Sequence, residues 1–208
     1  MALSGSSDGT LIERDFFRGD PLTCSREMIG CRLEWGSCSG VIVETEAYSE
    51  HGDEASHTFV RKSTRAFVKE NDAGTAYVYL NYGMYWMFNV LVKGRENGFV
   101  LFRALEPLRG ISLMQRRRKN KELRSLCSGP GKLAQALNIT GKHHGMDLCA
   151  DEHFGFYRST QSVKVDTDIR IGISKAVDLP WRFLLADNIH VSRPKNKAGS
   201  FKNKQTRP

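Results

Sequence analysis

Apolar segments follow one another from Phe16 to Val191 with connections of moderate length, and their periodicity changes along the way. In the first half, segments 40–48 (GVIVETEAY), 76–82, 84–92 and 99–105 are rich in β-branched and aromatic residues and predict strands. Asn81-Tyr82-Gly83 lies between the second and third of these and predicts a hairpin turn. Two helices are expected. One starts at Pro107, with Leu108, Ile111 and Met114 at helical spacing; the other starts near Pro130, with Leu133, Ala134 and Leu137. Short strands return at 154–158, 163–165 and 168–173. With no internal repeat and no proline-rich linker, this order predicts a single α+β domain: a curved, mostly antiparallel sheet with a protruding hairpin and surrounding helices. The expected domain runs over 11–192, after a Ser/Gly-rich flexible lead (1–10) and before a basic, disordered tail (193–208).

Composition sharpens this picture through the placement of charge. The chain has 208 residues, 40% hydrophobic and 26% charged, with 31 Lys and Arg against 23 Asp and Glu, a net of +8. An excess of that sign points to an anionic partner. Twelve of the 31 basic residues, but only one of the 23 acids, lie in 116–124 and 193–208, which leaves 19 against 22 elsewhere. The basicity is therefore local, on a nearly neutral body. The longest apolar stretch, 76–92, is short and interrupted by Asn81, Gly83 and Asn89, so no membrane span is expected. The first nine residues have neither the basic start nor the apolar run of a secretory signal. Five cysteines without a C-x-x-C pair argue against a disulfide framework or a zinc ribbon and for reduced thiols.

Candidate chemistry concentrates in three places. If 40–48 is a regular strand, Ile42, Glu44, Glu46 and Tyr48 share one face and Val41, Val43, Thr45 and Ala47 the other. Glu44 and Glu46 then stand about 6.6 Å apart at Cα. That spacing admits three readings: one acid as a general base, a solvated strand face, or a paired-carboxylate site for hydrolysis. His57 follows Glu46 by eleven residues and either returns to the strand to meet a substrate or holds a turn; no H-E-x-x-H spacing supports a metal site with His51. Tyr77, Tyr79, Tyr82, Tyr85, Trp86 and Phe88 fall within twelve residues. Alternation sends Trp86, Phe88 and Val90 to a core, and Tyr85, Met87 and Asn89 to a pocket wall with Tyr77 and Tyr79. Tyr82, at the turn, projects away from both faces, where an aromatic ring can stack on or wedge between bases.

Five blocks in order, VETEAY (43–48), DEASH (53–57), YVYLNYGMY (77–85) with Asn89, RALEPL (103–108) and SGPGKL (128–133), closely resemble the alkyladenine DNA glycosylase family, also called methylpurine or 3-methyladenine DNA glycosylases. The resemblance extends from about Phe16 to Phe183. It implies a monofunctional enzyme, without metal or other cofactor, that flips damaged purines out of double-stranded DNA and hydrolyses the N-glycosylic bond as the first step of base excision repair. In this resemblance Glu46 matches the base that activates water, with Arg103 and the backbone carbonyl near Ile171 holding that water. Tyr48, His57 and Tyr79 match the pocket that sandwiches the extruded base, and Asn89 the residue that clashes with the exocyclic amine of guanine. Tyr82 matches the wedge that fills the vacated gap. Thr64, Arg65, Met84, Ser128, Gly131 and Lys132 fall where the family touches the DNA backbone or lines the hairpin.

The resemblance also implies a monomer without a membrane, nuclear in a eukaryote and cytoplasmic in a bacterium. Two departures stand out: Ser49-Glu50-His51-Gly52 replaces a Gly-Pro-Glu-like turn, and Phe67-Val68 continues the 61–65 loop differently. Two other readings stay open, a noncatalytic damaged-DNA-binding protein of the same fold and a metal-dependent nuclease using Glu44 and Glu46.

Overall fold

The computed structural model describes residues 9–196. Eight strands form one sheet: β1 (Arg32–Trp35), β2 (Cys38–Ser49), β3 (Ala76–Asn81), β4 (Tyr85–Val92), β5 (Gly98–Arg109), β6 (Phe156–Tyr157), β7 (Val165–Asp168) and β8 (Arg182–Leu185). Five helices accompany them: α1 (Pro21–Glu27), α2 (His57–Val60), α3 (Lys62–Glu70), α4 (Ile111–Arg118) and α5 (Pro130–Leu137). The expected α+β domain is therefore observed, and every strand pairing is antiparallel. Spatial order is β3-β4-β5-β2-β1-β6, with β8 paired to β2 and β7 to β8.

β2 is the spine of this sheet. One edge pairs with β5 along most of its length; the other pairs first with β1, at residues 38–41, and then with β8, at 44–46. The changeover falls where the β2–β5 register slips, between Ile42 and Glu44 and again between Glu44 and Thr45. Such a bulge puts an extra residue into one strand and re-aims its side chains. Ile42 and Ala47 accordingly lie together in the main core, whereas Val41 and Val43 join a separate cluster with Ala104. The regular alternation expected over 40–48 thus fails at this bulge, and Ile42 does not share the face of Glu44.

The remaining strands alternate as their sequences require. Phe88 and Val90 enter the main core with Trp86 packed against it, while Tyr77, Leu91 and Phe99 form a second cluster with Phe67 and Val68 of α3 on the opposite face. Phe102 anchors the main core, stacked between Phe88 and Phe156 at ring-centroid distances of 5.1 and 5.0 Å.

Helix boundaries follow local chemistry. Asp20 caps α1 by accepting from the Thr23 N–H at 2.9 Å, and Pro130 opens α5, as expected, where its missing N–H is no loss. The helix expected from Pro107 begins four residues later. Pro107 continues β5 opposite Gly40, and β4 pairing ends at Leu101, so no strand asks for the N–H that proline lacks. Gly110, at φ +77°, makes the turn into α4. The strands expected over 163–165 and 168–173 are replaced by one, β7, over 165–168.

The basic run differs from a solvated helix face. Arg117 donates to the Ala136 carbonyl at 2.9 Å and Arg118 to that of Leu126 at 3.1 Å, tying α4 to α5 and the following loop, while Arg124 donates to the Ile189 carbonyl. The tail expected to be free from 193 onward packs on the sheet through 196: Lys195 pairs with Asp166 at 2.9 Å and Asn196 donates to Asp168; the lead up to residue 8 and the tail from 197 lie outside the described residues. All five cysteines are free thiols, four of them buried. Among the described residues, no helix is long and apolar enough to cross a membrane. Because Phe102 is fully buried between two rings, Phe102→Ala is expected to lower the free energy of urea unfolding by about 3–5 kcal/mol.

Candidate active site

A cavity of about 490 Å³ opens on the sheet face opposite the main core. β3 and β4 supply Tyr77, Tyr79, Met87 and Asn89; β5 supplies Phe99, Leu101 and Arg103; β2 supplies Tyr48; α2 supplies His57; and 171–175 close one side. The face expected of the hairpin is thus a pocket wall at Tyr77, Tyr79, Met87 and Asn89, whereas Tyr85 lies outside it, half-exposed beside Gly131 of α5. Tyr82 stands at its rim, 78% exposed.

Glu46 lies behind the cavity floor with no exposed surface. Ile171 donates its N–H to Oε1 at 2.7 Å, the Tyr48 hydroxyl donates to Oε2 at 2.8 Å, and Arg103 Nη1 sits 3.2 Å from Oε2. These three residues all line the cavity. A carboxylate offers about four lone-pair sites, so one stays open on Oε1, beside Ile171. Ile171 thus meets Glu46 through its amide, a contact separate from the one expected between its carbonyl and the water. The solvated-face reading is overturned by this burial.

The paired-carboxylate reading is overturned by the partners of Glu44. Its Oε1 receives Arg103 Nε at 3.0 Å, Arg182 Nη1 at 3.1 Å and the Ser192 hydroxyl at 2.8 Å, and its Oε2 receives the Ser192 N–H. Glu44 therefore takes four donors, one more than the contacts that reach Glu46, and does not line the cavity. For Arg103, the cost of burial is outweighed by Glu46 and Glu44, which raise its pKa above the usual arginine value and hold it cationic.

The aromatic walls are fixed as firmly. Asp53 and Arg170 form a fully buried bidentate pair at 2.6 and 2.7 Å; Asp53 also accepts from the Ser49 and Ala55 N–H groups, closing the 49–56 loop that delivers His57. The Arg170 guanidinium lies between the rings of Tyr48, 4.6 Å away, and Trp181, 5.1 Å away. Asp53 appears among the matched blocks only as part of DEASH, and Arg170 was missed entirely; an arginine between two isoleucines in 169–171 was its only signal.

His57 contacts the Tyr79 ring at 4.3 Å and reaches the Tyr77 hydroxyl through Nδ1 at 3.1 Å. These two rings adjoin in the cavity lining, which Tyr48 shares. Burial, and then nearby Arg61, push the His57 pKa down to about 4, so the ring is neutral at neutral pH. Burial raises the phenols of Tyr48, well above its usual value, and of Tyr79, to about 12. His51 pairs with Glu96 instead of approaching His57, and among the described residues no cluster of His, Cys, Asp and Glu is arranged to hold a metal ion. Asn89 donates Nδ2 to the Tyr77 carbonyl at 3.0 Å, which fixes its amide in the pocket wall.

The residues expected at the DNA surface are less uniform. Tyr82 and Met84, 67% exposed, crown the hairpin tip. Met84 N–H donates to the Asn81 carbonyl across a turn in which Tyr82, at φ +50°, and Gly83, at φ +65°, are both left-handed. Gly131 lets α5 approach the hairpin: a Cβ there would lie 3.1 Å from the Tyr85 side chain. Lys132 is exposed beside Ser128, and Arg65 is pinned to the Thr58 carbonyl at 2.7 Å. Thr64 departs from expectation. Its side chain is buried with the hydroxyl on Tyr77 at 2.9 Å, so it braces the pocket wall instead of facing DNA.

The family model for methylpurine-DNA glycosylase matches residues 15–189. The chain belongs to the methylpurine-DNA glycosylase family. Relatives include proteins of Rhodopseudomonas palustris, 44% identical over 89% of this chain and 90% of the relative, and Agrobacterium fabrum, 42% identical over 88% and 92%. A Nitrosospira multiformis protein is 41% identical over 86% and 92%. All three carry the provisional name 3-methyladenine DNA glycosylase. DNA glycosylase and DNA-repair terms therefore apply to this methylpurine-DNA glycosylase family member, and the cavity with Glu46 behind it is its candidate active site.

Two outcomes follow. A tyrosine in left-handed backbone costs about 1–2 kcal/mol, so Tyr82→Gly should leave the free energy of unfolding unchanged or raised in a urea titration. His57 titrates near 4 when folded and near 6.5 when unfolded. Its neutral ring therefore supports the fold fully above pH 6.5 and loses that support as pH falls toward 4, because the unfolded chain takes up the proton first. Unfolding free energies measured across that window should fall less steeply for His57→Gln than for the wild type.

Proposed function

We propose that this protein removes alkylated purines from duplex DNA by extruding the damaged nucleotide into the cavity and hydrolysing its N-glycosylic bond. The observation that carries the reading is the buried Glu46, held by Tyr48, Arg103 and Ile171, which all line the aromatic cavity, with Oε1 taking a single protein donor. A volume of about 490 Å³ suits a small planar guest, within the roughly 300–1,000 Å³ typical of small-molecule sites.

The glycosylic bond inside a duplex is out of reach, so extrusion costs a few kcal/mol, least for a damaged base. Tyr82 at the hairpin tip enters the gap; stacking on an aromatic ring returns about 1–3 kcal/mol. An alkylated purine carries positive charge, which the faces of Tyr48 and Tyr79 attract through the ring quadrupole. A neutral His57 adds no opposing charge. Asn89, fixed by the Tyr77 carbonyl, crowds the exocyclic amine of an undamaged guanine.

In the reaction, the electron pair of the breaking C1′–N bond leaves with the base, whose positive charge it neutralises. Water bound at Glu46 Oε1 forms the new C1′–O bond and passes its proton to the carboxylate. Glu46 also faces the positive charge that develops on the sugar. Arg103 holds Glu46 through Nη1 and lines the cavity, where it orients the water. The products are the free purine and an abasic site. Hypoxanthine and ethenoadenine, being neutral, need a proton donor that the cationic lesions do not.

The test is release of free methylpurines from methylated duplex DNA, with alkali-labile abasic sites left behind and no change on adding chelator. Glu46→Gln should lower the single-turnover rate by at least about 10²-fold while still binding the methylated duplex. Undiminished release by that variant overturns the mechanism. Binding with no release by the wild type would make the protein a noncatalytic damage binder. Cleavage of undamaged strands that chelator stops would make it a nuclease.

A further inference from the structure

Glu44 is left without a role in the reaction just described, yet it is the better bound of the two buried acids. Arg103 shows why this matters. It approaches Glu46 with Nη1 3.2 Å from Oε2, an ion pair rather than a directed hydrogen bond, and such a contact does not by itself fix the guanidinium plane. The second anchor is Glu44, which takes Nε at 3.0 Å and so sets the plane from which Nη1 points at Glu46.

Glu44 is in turn oriented from beyond the family match, which ends at residue 189. Ser192 gives its hydroxyl to Oε1 at 2.8 Å and its N–H to Oε2, so one residue grips both carboxylate oxygens. Arg182 supplies the remaining donor to Oε1 at 3.1 Å; its own guanidinium is held by Asp168 at 2.6 Å, the Ile169 carbonyl at 2.9 Å and the Arg193 carbonyl at 3.1 Å. The segment after 191 thus closes a chain of contacts that runs Ser192, Glu44, Arg103, Glu46.

We infer that Glu44 and Ser192 are positioning residues for the base-excision chemistry, fixing Arg103 and through it the carboxylate of Glu46. The inference rests on the reading of Glu46 as the water-activating base. Small displacements of a reacting group have large kinetic effects, up to about 10²-fold for 1 Å. Disruption of this chain therefore slows excision without weakening DNA binding, because neither Glu44 nor Ser192 lines the cavity.

The test compares wild type with Glu44→Gln, Ser192→Ala, Ser192→Thr and, as a control in the same segment, Lys195→Ala. Single-turnover release from methylated duplex DNA should fall by about 10–100-fold in Glu44→Gln and roughly tenfold in Ser192→Ala. Dissociation constants for the same duplex should stay within about twofold. Ser192→Thr, which keeps the hydroxyl, should recover most of the rate, and Lys195→Ala should match the wild type. If Glu44→Gln does not fold, Ser192→Ala carries the comparison.

A second readout needs no activity. The Arg103 Nε proton, followed by NMR, should exchange with solvent about tenfold faster in Ser192→Ala than in the wild type. Equal exchange in the two proteins overturns the inference, as does an unchanged excision rate in Ser192→Ala when the wild type is active. If the wild type releases no purine, the proposed function fails, while proton exchange still decides the positioning role.

Discussion

A single guanidinium, Arg103, joins the two buried carboxylates of the central strand. Burying Glu44 and Glu46 within three residues of each other without a cation between them would set two like charges against one another in a poorly solvating interior. Arg103 resolves this by presenting Nε to one acid and Nη1 to the other. It is the unmatched residue of β5 at the second slip of the β2–β5 register, between Phe102, opposite Thr45, and Ala104, opposite Glu44. The rest of the sheet extends outward from that pairing. β8 covers the free edge of β2 at residues 44–46 and brings Arg182 to Glu44.

The same economy governs the aromatic side of the site. Tyr48 is at once a wall of the cavity and a donor to Glu46, and its ring rests on Arg170, which is itself held by Asp53. Binding surface and carboxylate are therefore parts of one network, and a guest that moves Tyr48 moves a hydrogen bond to Glu46. Opposite, His57, Tyr77 and Thr64 form a hydrogen-bonded row that keeps the second wall rigid. Hairpin tip and cavity lie on one continuous pair of strands. An exposed ring in a left-handed turn is thereby carried at a fixed distance from the pocket it borders.

Much of this was legible in the chain. Alternation in 76–92 separated core from pocket wall because β3 and β4 are regular and each has one buried apolar face. Asn81 and Gly83 marked the turn because asparagine and glycine favour turns, although Tyr82 between them also takes a positive φ. Pro130 announced α5. Other features were hidden because their causes are nonlocal. Nothing near Ile42 reveals that the neighbour of β2 changes from β1 to β8 there, so the bulge and the resulting faces could not be read. Pro107 has the look of a helix start only while its pairing with Gly40 is unknown. Thr64 sits in a polar, basic stretch, and only the fold brings it under the Tyr77 hydroxyl.

By itself, the sequence determined the antiparallel α+β architecture, the family, and the short set of residues from which a site could be built, since these rest on local periodicity and on ordered motifs. Tertiary structure decided what the acids do. Two glutamates two residues apart are equivalent on a strand in isolation. They become different when Arg182 and Ser192, far along the chain, join Arg103 to place four donors on Glu44, whereas Glu46 Oε1 takes only the Ile171 N–H.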